Sequence, residues 1–294
     1  MKNKIAVSVV MGVHNPEREP FLAAVASICG QTFEDWEMLL CDDGSGETYR
    51  PLFEEAAAMD SRIILLHERA HCGLAHALNH GIFRSHGRYI ARMDADDIAE
   101  PHRLARQVHF LDTHPIFSWV GTQALLFDNR GIWGLQTVPD KPRARDFLPH
   151  SPYIHPSVLF RRSVLLQNGG YNTARRVLQC EDYELFMRLH SRGYRGCNLR
   201  TPLLRYREDR DAYRRRSYAR RVREMHLRRS GFRRLGILRP RAWPYVYKPL
   251  LVGLVPAYIQ HFIRRRLGKQ KIKENVWKTD TRDVPEKQKS IRPL

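Results

Sequence analysis

A strand-like run ending in three carboxylates constrains this chain more than any other feature. Tyr89-Ile90-Ala91-Arg92-Met93 leads straight into Asp94-Ala95-Asp96-Asp97, three acids within four residues. Carboxylates that close repel one another and cost stability until a cation offsets them. Hard divalent ions such as Mg²⁺ or Mn²⁺ take all-oxygen ligands and usually share them with phosphate oxygens. An Asp-x-Asp at a strand end therefore points to a metal that holds a diphosphate. The alternative is a solvated acidic turn that caps the next helix.

The surrounding pattern says where such a turn would sit. Strand-like Val7–Met11 is followed by a helical spacing over Pro20–Cys29. A second apolar run, Trp36–Cys41, ends in Asp42-Asp43-Gly44-Ser45, and a helix near Tyr49–Met59 follows. Ile63–Leu66 reads as a third strand, and a helix over about Gly73–Ser85 delivers the chain to the acidic strand. Strands alternating with helices predict an α/β fold, a mostly parallel sheet covered on both faces. Ligands of such sheets bind outside the carboxyl ends of the strands. Both acidic clusters fall at those ends.

In this order the motifs resemble those of the family 2 glycosyltransferases. The resemblance is carried by Val7-Ser8-Val9-Val10-Met11 with Asn15-Pro16, Leu39-Leu40-Cys41-Asp42-Asp43-Gly44-Ser45, and Cys72-Gly73-Leu74-Ala75-His76-Ala77-Leu78-Asn79-His80-Gly81-Ile82. It continues through Gly87–Asp97, Gly169-Gly170-Tyr171 and Glu181-Asp182-Tyr183-Glu184-Leu185, spanning about residues 5–205. It implies a GT-A fold, a nucleotide-sugar donor with a UDP-sugar favoured, a divalent metal (Mn²⁺ or Mg²⁺) and inversion at the anomeric carbon. The implied product is cell-surface polysaccharide, built on a glycan or lipid-linked acceptor.

The resemblance also distributes roles. Asp96 is the expected metal ligand, with Asp94 at the ribose or in the metal shell. Asp97 is expected to cap a helix beginning near Glu100-Pro101. Asp42 or Asp43 would accept the imino N–H of uracil, and the sequence leaves open which of the two points inward. The reading without a ligand is an Asp-Gly-Ser turn, where Asp is favoured for backbone hydrogen bonding. His14 and Asn15 lie where the family's backbone passes the nucleobase, and Gly73 and Asn79 match the motif around the third helix. His155, in His155-Pro156-Ser157 before a strand at Val158–Phe160, is a candidate for the diphosphate or the metal shell. Asp182 is the candidate base and Glu181 the candidate acceptor contact. Both sit in the first turn of a helix over Glu181–Leu189, where the dipole lowers a carboxylate pKa, so an active base there needs desolvation as a counterweight.

Charge divides the chain. Residues 200–294 carry 28 Lys/Arg against 8 Asp/Glu, a surplus of +20, and the remainder sums to −1. The expected division is a catalytic domain over 1–205, a basic and partly apolar helical extension over 206–270, and a disordered tail over 271–294. Residues 244–263 form an apolar run ahead of Arg264-Arg265-Arg266, too short and too interrupted by Lys248, Pro249 and Pro256 to span a bilayer. An interfacial segment on an anionic membrane fits better, and the alternative is a buried helix pair that completes the fold. Met1-Lys2-Asn3-Lys4 runs directly into the first strand without an apolar leader, which predicts a cytoplasmic protein on the inner membrane face. Five scattered cysteines without zinc spacing are read as reduced thiols.

Competing readings are weaker. A nucleic-acid-binding protein would use the basic third, but no recognisable module accompanies it and acidic strand ends repel nucleic acid, so no nucleic-acid partner is expected. A sugar nucleotidyltransferase would carry a Gly-rich, arginine-containing loop after its first strand, where Gly12-Val13-His14-Asn15-Pro16 stands instead.

Overall fold

The computed structural model describes residues 5–208 and 217–274. The first four strands are β1 (Val7–Val13), β2 (Trp36–Asp42), β3 (Ile63–His67) and β4 (Tyr89–Arg92), paired in parallel in the order β3-β2-β1-β4. β1 and β2 are apolar on both faces because both faces are covered. Val9, Met11, Val13, Met38 and Leu40 join a core with Phe21 of α1 (Arg18–Cys29) and Phe53 of α2 (Arg50–Ala58). Val10, Leu39 and Cys41 face the other way, onto Leu78 and Ile82 of α3 (Leu74–Arg84). A Cβ on Gly81 would lie 2.6 Å from Val10 Cγ1 and 2.8 Å from Cys41 Sγ, so the glycine lets α3 rest close on the sheet.

The later strands are β5 (Ile98–Ala99), β6 (Trp119–Asp128), β7 (Gly131–Gln136), β8 (Leu159–Arg161) and β9 (Gly196–Arg207). They complete one nine-stranded mixed sheet: β8 joins β4 to β6, β9 follows β6, β5 forms the edge and β7 pairs β6. α4 (Arg103–Thr113), α5 (Arg162–Gln167) and α6 (Glu181–Ser191) flank them. All five cysteines are free thiols.

Among the described residues, three α-helices follow β9: α7 (Tyr218–Arg234), α8 (Trp243–Gly253) and α9 (Ala257–Glu274). α7 buries Leu227, Gly231 and Phe232 and packs on α6, where Gly231 admits the Met187 side chain. α8 packs on α7 and buries Val246 and Pro249. α9 lies along β7, with Gly268 against Gly134 and Trp133. The basic residues are partly spent inside the fold. Arg228 pairs with Glu224 at 2.9 Å and donates to the Leu148 carbonyl at 2.7 Å. Arg264 meets Glu208 and Arg265 meets Asp128, each at 3.1 Å.

The structure describes the apolar run and moves one expected boundary. The apolar run over 244–263 is two helices, broken before Pro256, with some residues buried and others exposed. Helix also continues through Glu274, where disorder was expected from 271, because α9 keeps its contact with β7 and Lys271 donates to Thr137 Oγ1 at 2.9 Å. Arg214-Arg215-Arg216 and residues 275–294 lie outside the described residues. No described helix is long and apolar enough to cross a membrane.

Candidate active site

Parallel pairing sets the carboxyl ends of β1, β2 and β4 side by side, with Val13 opposite Asp42 and Val10 opposite Arg92. The residues that follow these strands therefore converge on one edge of the sheet. At the β1–β2 end, Asp42 closes β2 and Asp43 follows it, and the two carboxylates take different partners. Both are buried. Asp43 binds the loop ahead of α3: its carboxylate accepts from the Cys72 and Gly73 backbone N–H groups at 2.8 and 2.9 Å and lies 2.9 Å from His71 Nδ1. Asp42 accepts from the Ser45 N–H at 2.9 Å and lies 2.9 Å from His67 Nδ1. Gly44 has φ +70°, and a Cβ there would fall 2.3 Å from the Ala70 carbonyl carbon. The turn can sit against that backbone only as glycine. The His14 ring stacks on His71 with centroids 3.9 Å apart, and Asn15, at φ 47°, donates its N–H to Ser45 Oγ at 2.9 Å. His14, Asn15, Asp42, Asp43 and Gly73 thus form one patch. Asn79 is set apart from it. Its amide accepts from the Tyr171 N–H at 2.8 Å and donates to the Tyr171 carbonyl at 2.9 Å, tying α3 to the Gly169–Tyr171 turn.

The acidic cluster stands at the end of β4. Asp94 is ion-paired with Arg92, whose side chain is 3% exposed. Burial and the neighbouring Asp94 push Asp96 up to about 6. Asp97 is fully buried and pushed well above the carboxylate range, first by burial and then by Asp94 and Asp96. Its expected role as a helix cap is not what the fold shows. Ile98–Ala99 is a strand paired with β9, α4 begins only at Arg103, and the Asp97 carboxylate instead accepts the Arg207 N–H at 2.8 Å. The same Arg207 donates through Nε to the Asp96 carbonyl at 3.2 Å. Beneath the cluster, buried Arg103 donates to the Arg92 carbonyl at 2.7 Å and fixes the end of β4.

The first turn of α6 lies within electrostatic reach of the same Arg92 and Tyr171 as the cluster. Glu181 is 8% exposed, and burial raises the pKa of both Glu181 and Asp182. Arg92 acts electrostatically on Asp94, Tyr171 and Asp182, so one buried cation links the Asp-x-Asp turn to the helix turn. The Tyr171 hydroxyl lies 2.6 Å from His155 Nε2, and burial holds His155 neutral, far below the ordinary histidine pKa. Arg220 of α7 donates to the Gln179 carbonyl at 3.1 Å, just ahead of Glu181.

The acids fit a hard divalent ion only in part, and in an informative way. Among the described residues no three His, Cys, Asp or Glu side chains form a metal cage. Asp96 and Asp94 offer oxygen from one side, and burial and the Asp94 charge both disfavour an ionised Asp96, a condition that a bound cation would relieve. Such a partial set suits an ion that takes its remaining oxygens from a bound diphosphate. The sequence reading passed over Arg92, Tyr171, His71 and Arg207. A visible signal existed for Arg92, a charge set inside an otherwise apolar strand.

Residues 8–169 match the model of glycosyl transferase family 2. The chain belongs to that family. It is 36% identical over 268 residues to the putative glycosyltransferase EpsE of Bacillus subtilis strain 168, covering 90% of this chain and 95% of that one. It is 33% identical over 135 residues to WfgD of Escherichia coli, a UDP-Glc:alpha-D-GlcNAc-diphosphoundecaprenol beta-1,3-glucosyltransferase, covering 46% of this chain and 52% of that one. In fold it is similar to the mannosyltransferase PcManGT of Pyrobaculum calidifontis, solved with GDP-Man and Mn²⁺. That likeness has a TM-score of 0.55 at 20% identity and covers 93% of this chain and 88% of the other. The chain is a glycosyltransferase with the GT-A fold.

Proposed function

We propose that this enzyme moves a sugar from a UDP-sugar to a lipid-linked glycan acceptor in polysaccharide synthesis, by metal-assisted single displacement with inversion. The observation that carries the reading is that two acidic groups, Asp94/Asp96 at the strand end and Glu181/Asp182 on the helix turn, lie within electrostatic reach of the same buried Arg92 and Tyr171. Asp42 reads the uracil imide, because Asp43 already accepts three donors from its own loop while Asp42 accepts two. His14 and Asn15 border the base. Asp94, held by Arg92, meets the ribose or the metal shell, and Asp96 holds the metal. A divalent ion bound there supplies Lewis-acid stabilisation to the leaving diphosphate. His155, kept neutral, presents an uncharged donor or ligand to the same phosphates. Asp182 removes the proton of the acceptor hydroxyl as it attacks, and its raised pKa brings it nearer the pH at which a base works best. Glu181 orients the acceptor.

We further propose that the catalytic unit is residues 1–205 and that the following helices hold it on an anionic membrane. Trp243, Tyr247 and Leu251 of α8, Leu254 just after it, and Tyr258, Phe262 and Leu267 of α9 are exposed in the segment that carries Arg264-Arg265-Arg266. Aromatic and apolar side chains next to basic ones favour such a surface. The decisive experiment is thermal. UDP with Mn²⁺ should raise the melting temperature more than UDP alone, and Asp96→Ala should lose that metal-dependent increment. An equal increment in Asp96→Ala would remove Asp96 from the metal site. Product with the donor's own anomeric configuration, seen by NMR, would end the single-displacement mechanism.

A further inference from the structure

An open groove of ≈ 740 Å³ lies between the tip of the β6–β7 hairpin and the first turns of α9, lined by Asp128, Asn129, Arg130, Tyr258, Phe262 and Arg265 among others. It is apart from the nucleotide patch yet one side chain from the metal turn. Arg207 spans the interval, donating to Asn129 Oδ1 at 2.7 Å on the groove side and to the Asp96 carbonyl at 3.2 Å on the other. Its two walls differ in character. The α9 wall is largely apolar and wet, with Tyr258 59% and Phe262 65% exposed and His261 also lining the groove, and Leu251 and Leu254, just ahead of α9 in the chain, are exposed as well. The hairpin wall is polar and carries Arg130, while Arg265 lies between the walls, 3.1 Å from Asp128 and over the Trp133 ring.

We propose that this groove holds the carrier of the acceptor: an isoprenoid chain along Tyr258 and Phe262, with its diphosphate turned toward Arg130 and Arg265. The inference rests on the lipid-linked acceptor proposed above and adds the place where the lipid sits. An amphiphile with an anionic head and an apolar tail matches both walls at once, by charge at the hairpin and by burial at the helix. The position also matches the chemistry. A sugar carried on the diphosphate would extend past Arg207 toward Asp96, so the tail is held outside the reacting centre.

The test uses the full chain and a benzophenone-bearing farnesyl diphosphate as photoprobe. Labelled peptides should map to residues 258–265 and 128–130, and long-chain polyprenyl diphosphate should compete while inorganic pyrophosphate at the same concentration does not. Tyr258→Glu and Phe262→Glu should each cut labelling about tenfold and raise KM for a polyprenyl-linked acceptor to match, as expected for losing one well-buried apolar contact. Both should keep the UDP–Mn²⁺ shift in melting temperature, which shows them folded. Labelling elsewhere, or labelling untouched by both substitutions, overturns the assignment. So does a result in which the substitutions only release the protein from anionic vesicles, since the face would then be a membrane contact alone. If the parent enzyme glycosylates a lipid-linked acceptor while the groove stays unlabelled, only the groove assignment falls. If it uses water-soluble acceptors alone, the acceptor reading falls with it.

Discussion

At the scale of single residues, Arg92 is the least expected participant. A guanidinium buried at the end of an otherwise apolar strand is tolerable only because Asp94 pairs with it and because Asp97, Tyr171 and Asp182 lie within its field. Breaking a buried pair by removing one partner leaves the other charge stranded. Arg92→Met should therefore lower stability by about 3–5 kcal/mol. The double variant Arg92→Met/Asp94→Asn should lose less than Arg92→Met alone, measured by urea unfolding. Additive losses would show that the two side chains do not depend on each other. Asp182→Asn tests a different property. It keeps the shape and removes the proton acceptor, so kcat should fall by roughly 10²–10⁴-fold while the UDP–Mn²⁺ thermal shift is retained. In the parent enzyme, activity should decline as pH falls through the raised pKa of Asp182, because the protonated acid cannot act as a base. An acid limb that is identical in Asp182→Asn would assign that limb to another group.

At the scale of elements, the site depends on loops that lie against backbone at close range. The Asp42-Asp43-Gly44-Ser45 turn is the clearest case. Gly44→Ala puts a Cβ into the Ala70–His71 backbone and asks a non-glycine residue to hold φ +70°. The turn and the 70–73 loop would separate, so the UDP thermal shift should largely disappear with a stability loss of about 1–3 kcal/mol. Retained UDP binding in Gly44→Ala would mean that the patch is not the nucleotide end. The β5 segment teaches a related point. Local signals read Asp97 as a cap, whereas pairing of Ile98–Ala99 with Arg205 and Leu204 draws the chain into the sheet and gives Asp97 to the Arg207 N–H. α9 is docked through Gly268, where a Cβ would meet Trp133 Cζ3 at 2.9 Å. Gly268→Leu should lift α9 from β7 and abolish photolabelling of the groove. Truncation at residue 240 is a poor substitute, because it would expose the faces of α7 and β7 that α8 and α9 cover.

At the scale of the whole molecule, opposing titrations shape stability. Burial holds His190 neutral down to about 4, among Trp119, Tyr153 and Phe147. Its contribution is present above the ordinary histidine pKa and is lost as pH falls from there toward 4. Asp96 runs the other way. Its folded pKa lies above its unfolded value, so the folded state binds more protons between about pH 4 and 6. Stability from this group is highest below that window and falls as pH rises through it. Asp96→Asn should accordingly match the parent near pH 4 and exceed it at pH 7 by on the order of 1–3 kcal/mol in the metal-free protein. A difference that does not change with pH would show that the carboxylate is not strained by its neighbours. Excess Mn²⁺ with UDP should shrink the gap, since binding stabilises only the parent at that position.

The linear sequence by itself determined the alternation of buried strands and covering helices, because that pattern is written in local periodicity and in runs apolar on both faces. It determined the two acidic strand ends for the same reason: a carboxylate cluster after an apolar run is visible wherever the chain later goes. It also showed that the surplus of basic charge falls in the last third of the chain. Tertiary structure decided what depends on partners distant in sequence. Asp43 is drawn to a loop 29 residues on, Asn79 to a backbone 92 residues away, and Asp97 to one 110 residues away, and no local signal encodes such pairings. The arginines of the last third were legible as charge but not as ion pairs, since Arg264 finds Glu208 and Arg265 finds Asp128 only after α9 folds back on β7. The groove beside Asp96 arises from that same return of the chain, and a cavity between elements has no counterpart in a sequence read one segment at a time.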